Sequence, residues 1–213
     1  MSDDELARLR AAASRDDYGS MAALARVLHG RGLGARDVLG DCYGVRWPDE
    51  LFAIAEARAQ GRDPPVLYTN QPWNLATPLD RGGPGAEAPA IGKIERQVFA
   101  LDPALAPLVV LQDPDYRHGD SVVCYRLDEL AAGRPTAFGL RLFFPRAAAP
   151  QRYGDSLVAV LRDHFGDAVR RLERELAGQR NRGAGSIDER DVAAAHTWLA
   201  RVEDIARALP GAP

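Results

Sequence analysis

Cysteine is scarce in this chain: Cys42 and Cys124 are the only two in 213 residues, and they stand far apart. No secretory signal precedes them, so they are expected to be reduced core thiols, not a disulfide or a metal pair. Lysine is scarcer still. Lys93 is the single one and arginine supplies the remaining basic charge, a bias that fits a GC-rich coding sequence better than a chemical role for Lys93. Long apolar runs are missing as well. Residues 1–15 are charged and carry no apolar signal-peptide core. No window approaches the roughly 18 apolar residues that a membrane span needs. A cytoplasmic protein with no membrane contact is expected.

Catalytic signatures are lacking in the same way. There is no Gly-x-Ser-x-Gly elbow, no His-Glu-x-x-His pair, and no cysteine beside a sequence-local base. The glycines of residues 30–37 follow no strand and lead to no Lys-Ser/Thr, which argues against a phosphate loop. Glu173 and Glu175 are two apart on a predicted helix and face different directions. Net charge is −3 with a pI near 5.8. Residues 151–213 balance ten arginines against ten acids, so neither part of the chain is a basic nucleic-acid module. No cofactor is expected.

What is present suits a globular fold, with 46% hydrophobic and 27% charged residues. The pattern predicts a helix over 3–13 with acids in its first turn, a second over "MAALARVLHG" capped by Ser20, and a short third within 32–45. Pro48 suits a first helical turn, Asp49 and Glu50 favour its positive end, and Gly61 ends the helix before Asp63-Pro64-Pro65. Trp47 is placed to fold back on that helix as a hydrophobic staple. The Pro- and Gly-rich stretch 62–92 predicts a long irregular segment. Four β-type runs follow at 94–101, 107–112, 121–127 and 136–144, spaced for an antiparallel meander, with a helical turn at 128–136. Apolar residues at three- and four-residue steps predict a helix over 155–178, with Gly166 as its weak point, and another over 188–209 capped by Ser186 or Asp188. The pair reads as a helical hairpin that packs on residues 1–150 or exchanges with a partner chain in a homodimer. The fold class is therefore α+β: an antiparallel meander covered by helices, with a C-terminal helical hairpin.

The segment Gly44-Val45-Arg46-Trp47-Pro48, followed by Asp49, Leu51, Phe52 and Ile54, resembles the helix start of the SUKH superfamily. That superfamily includes yeast cell-wall synthesis regulators and bacterial immunity proteins of toxin systems. The acidic turn from Asp113 to Asp120 is similar to one its later strands carry, and the likeness covers residues 35–145. Trp47 stands where the family has an aliphatic residue, Gln60-Gly61 replaces its Asn-Gly, and the C-terminal hairpin has no counterpart in the pattern. The resemblance implies a non-enzymatic protein that binds a protein partner, most concretely an immunity protein neutralising a toxin by direct contact.

The residues themselves offer two candidate contact regions. Tyr68, Trp73 and Tyr116 fall in predicted loops, and large rings with few rotors favour binding hot spots. Against that, Trp73 could plug the edge of the sheet. Asp113, Asp115, Tyr116, His118 and Asp120 form the densest polar cluster. Asp-Pro-Asp builds turns through side-chain bonds to nearby N–H groups. The same carboxylates could touch a partner, or with His118 hold a divalent ion for metal-dependent hydrolysis. His29 precedes a predicted helix end, and His164 and His196 fall on the two long helices, where packing roles are expected.

Overall fold

A computed structural model describes residues 2–85, 92–112, 120–141, 149–180 and 187–210. In chain order these hold α1 (Asp3–Ala12), α2 (Tyr18–Gly30), α3 (Ala35–Tyr43), α4 (Asp49–Ala59), β1 (Leu67–Tyr68), α5 (Gln71–Leu75), α6 (Gly92–Leu101), β2 (Leu105–Leu111), β3 (Ser121–Arg126), α7 (Leu127–Ala131), β4 (Ala137–Arg141), β5 (Gln151–Gly154), α8 (Leu157–Arg180) and α9 (Glu189–Arg207). The protein is α+β, with a five-stranded antiparallel sheet ordered β1-β2-β3-β4-β5 and a C-terminal pair of helices. The chain divides into two compact units. One comprises 1–48 and 66–155; the other comprises 49–65 and 156–213, so α4 stands with α8 and α9.

In the first unit a bulge between Pro107 and Val109 shifts the β2–β3 register. The bulge lets Leu105 and Val110, an odd number of residues apart, join one cluster with Val122, Cys124, Leu140 and Val98 of α6. Trp47 is buried, its ring edge-on to Tyr43 at 4.9 Å and 6.2 Å from Tyr125. On the other face of β4, Tyr153 of β5 lies across Gly139, and its hydroxyl meets Ser121 Oγ of β3 at 3.0 Å.

Several elements differ from expectation. Residues 94–101 form α6 and not a strand, because Gly92, Glu95 and Val98 are buried at a three-residue step. The cap of α2 is Asp17, which accepts from Gly19 N at 3.0 Å. Ser20 lies inside the helix and donates to Asp17 O at 2.9 Å. Stretch 62–92 contains β1, α5 and a 3-10 turn (Leu79–Arg81), with only 86–91 outside the described residues. Pro72 in the first turn of α5 explains how a Pro-rich stretch still starts a helix. Strand β5 forms although Gln-Arg-Tyr-Gly carries no alternating apolar pattern.

In the second unit, Gly61 takes φ 65° and ends α4, with Arg62 N donating to Ala57 O at 2.8 Å. Helices α8 and α9 meet through Phe165 and Trp198, ring centroids 6.2 Å apart. Asp188 caps α9 in a reciprocal capping box with Asp191. Arg201 of α9 donates to Asp63 O at 2.9 Å just beyond α4.

Candidate functional site

The first unit carries a surface groove of about 550 Å³ between the α1–α2 connector and the outer face of α6. Ser14, Arg15 and Asp16 form one wall; Arg96, Phe99 and Ala100, with Pro103 beyond the helix, form the other. A second hollow of about 290 Å³ shares Arg15, Asp16, Arg96 and Phe99 and reaches inward to Tyr18, Gln71 and Glu95.

Local chemistry fixes the connector. Asp17 N donates to Ser14 O at 3.0 Å, which closes a tight turn. The Ser14 hydroxyl donates to Asp16, and Gln71 Nε2 donates to Arg15 O. Gln71 is held in turn by Tyr43, whose hydroxyl donates to Gln71 Oε1 at 3.0 Å. Beneath the groove sits Glu95, a buried carboxylate. Its Oε1 accepts from Asn70 N at 2.8 Å and Gln71 N at 2.7 Å, and Oε2 accepts from Asn70 Nδ2 at 3.3 Å. Glu95 thus caps α5 from a distant part of the chain. Burial raises its pKa above the ordinary value, while the Gln71 and Asn70 donors and the Arg96 charge oppose that rise. The Arg15 guanidinium lies over the Phe99 ring, 5.9 Å from its centroid.

The residues singled out from sequence lie elsewhere. Trp73 is 2% exposed, and its Nε1 donates to Leu108 O at 2.6 Å. Its reading as a contact residue therefore gives way to the plug role, because the ring and its one donor serve the sheet. Tyr68, on β1, is half-buried and packs edge-on to Trp73 at 4.9 Å. Asp120, just before β3, is half-buried. Asp113, Asp115, Tyr116 and His118 lie outside the described residues. The structure thus brings Tyr68 and Trp73 together, but as packing.

The cysteines are poor nucleophiles. Burial and the nearby Asp41 push the Cys42 thiol up to about 12, and burial pushes the Cys124 thiol up as well. His29 bonds Leu75 O at 2.9 Å. His196 pairs with Glu173 at 3.0 Å, and His164 packs edge-on to Phe165, so the two helix histidines do not face each other. No group of three His, Cys, Asp or Glu among the described residues could hold a metal ion. No described helix is long and apolar enough to cross a membrane.

Sequence reading missed the groove because a strand assignment for 94–101 scatters Glu95, Arg96 and Phe99 over two faces. The signal that could have found it is the three-residue step from Gly92 through Glu95 to Val98. Comparison with protein-family models, with curated proteins and with solved structures finds no match.

Proposed function

We propose that the protein is a non-catalytic binding protein and that the groove between the α1–α2 connector and α6 receives a protein partner. Its most concrete form is the one the SUKH-like helix start implies, an immunity protein that covers a toxin. The observation that carries this reading is the make-up of the groove. Phe99, Ala100 and Pro103 offer apolar surface beside Arg15 and Arg96, and Leu101, two residues past Phe99, is 48% exposed. An apolar centre with a charged rim is the anatomy of a protein contact.

The test is capture of the products of genes adjacent to this one, followed by calorimetry on any that binds. Phe99→Ala is expected to weaken binding at least about tenfold, the effect of removing one aromatic anchor. Failure of every adjacent product to bind, or binding indifferent to Phe99→Ala, would sink the proposal.

A further inference from the structure

The charges around the groove are not equivalent. Its acids are engaged within the fold: Asp16 accepts the Ser14 hydroxyl, Asp17 caps α2 at Gly19 N, and Glu95 takes three N–H donors. Its cations lack such partners: the Arg15 guanidinium lies over the Phe99 ring and forms no ion pair with a described residue. Among the described residues, the buried Nη1 of Arg15 has no hydrogen-bond partner. Arg96 is exposed on α6, and its one described charge neighbour is Glu95, already held by its backbone donors. Other arginines of the same unit show the partner this group prefers: Arg126 meets Asp102 at 2.8 Å, and Arg134 meets Glu129 at 2.6 Å. A groove on an acidic protein thus holds two guanidinium groups whose preferred partner, a carboxylate taken in a fork, is not supplied by the described residues around them.

We infer that the groove binds an acidic peptide segment of the partner, with a carboxylate between Arg15 and Arg96 and an apolar side chain on Phe99. The inference rests on the reading of the groove as a protein-binding site. Asp16 in the groove wall and Asp17 in the adjoining hollow select against a polyanion: a nucleic-acid backbone would bring repeated charge against them, whereas a single carboxylate need meet only the guanidinium groups.

The full-length chain, labelled for NMR, would be titrated with Ac-Ala-Glu-Leu-Ala-Ala-NH2 and with its uncharged analogue Ac-Ala-Gln-Leu-Ala-Ala-NH2. The acidic peptide is expected to shift signals of residues 14–17 and 95–100 and the Arg Nε–H resonances, with a dissociation constant below about 1 mM. The uncharged peptide, and the Arg96→Gln variant with the acidic peptide, are each expected to bind at least about tenfold more weakly. Arg96 is an exposed position, so the variant should keep its melting temperature, and Arg15→Gln serves as the second variant. Equal binding of both peptides at the groove overturns the carboxylate assignment and leaves the protein-binding reading standing. No groove shift with either peptide up to about 10 mM also overturns it, and the capture experiment decides the broader reading separately.

Discussion

Two buried glutamates do the same work at distant points. Glu95 caps α5, and Glu50 of α4 accepts from Leu157 N at 2.8 Å and Val158 N at 3.0 Å, capping α8 across 107 residues of sequence. A helix start leaves N–H groups without partners, and a carboxylate satisfies two of them while matching the positive helix end. Glu50→Ala is therefore expected to cost about 2–4 kcal/mol, the penalty for two orphaned buried donors, read from urea denaturation. A loss under 1 kcal/mol would deny the cap its role. Glu95 adds a pH dependence. Its pKa is raised in the folded state, so the folded protein holds that proton more tightly than the unfolded chain. The resulting stability is complete below the ordinary value of 4.5 and is lost as pH rises through the folded value. Relative to Glu95→Gln, the wild type should lose stability across that rise, and parallel profiles would refute the assignment. Sequence revealed the Asp188 cap and hid those of Glu50 and Glu95. Asp188 was legible because its partners, Arg190 N and Asp191 N, lie within three residues. Glu50 was read only as a complement to its own helix, since nothing local points to Leu157.

At the scale of elements, strand β5 depends on a contact between a glycine and a ring. A Cβ built on Gly139 would fall 1.9 Å from Tyr153 Cζ, so the ring rests directly on the backbone of β4. Gly139→Ala must displace it and is expected to cost about 1–3 kcal/mol as overpacking. In the background of Tyr153→Ala the same substitution should be nearly neutral, and a double-mutant cycle measures the coupling. Additive effects would show that the ring and the glycine do not support each other. A glycine inside a strand signals close approach of another group, but the sequence does not say which group arrives. The long helices were legible because their burial follows period. Leu157, Val158, Leu161, Phe165 and Val169 are buried along α8 as spacing predicted. Within α8, burial lowers the pKa of His164 below its ordinary 6.5. The folded state thus favours the neutral ring; the stability this adds is present above 6.5 and lost as pH falls through the folded value. A His164→Gln variant should flatten the acid limb of the stability profile between about pH 7.5 and 5. An unchanged slope would exclude His164 as its source.

For the whole molecule, the division into units is what sequence order conceals. A boundary drawn at residue 150 follows the change from strands to long helices. Yet α4 belongs by its contacts with α8 and α9, although β1 and everything up to β5 follow it in the chain. The chain leaves the first unit after Pro48, forms one helix of the second, returns at Val66, and completes the second unit only after Asp155. A fragment ending at residue 155 would therefore carry α4 without either helix it packs on in that unit. Glu50 would lose the two N–H groups it caps, and Leu51 and Ile54, both buried in the intact chain, would lose the α8 and α9 side chains of their own unit. Exposing such a stripe costs about 25 cal/mol per Å² of apolar surface and creates a patch prone to self-association. The fragment is expected to elute from size exclusion as broad or aggregated material and to unfold at lower urea than the full chain. A monodisperse fragment with an unchanged urea midpoint would restore the boundary at residue 150 and make α4 a helix of the N-terminal domain.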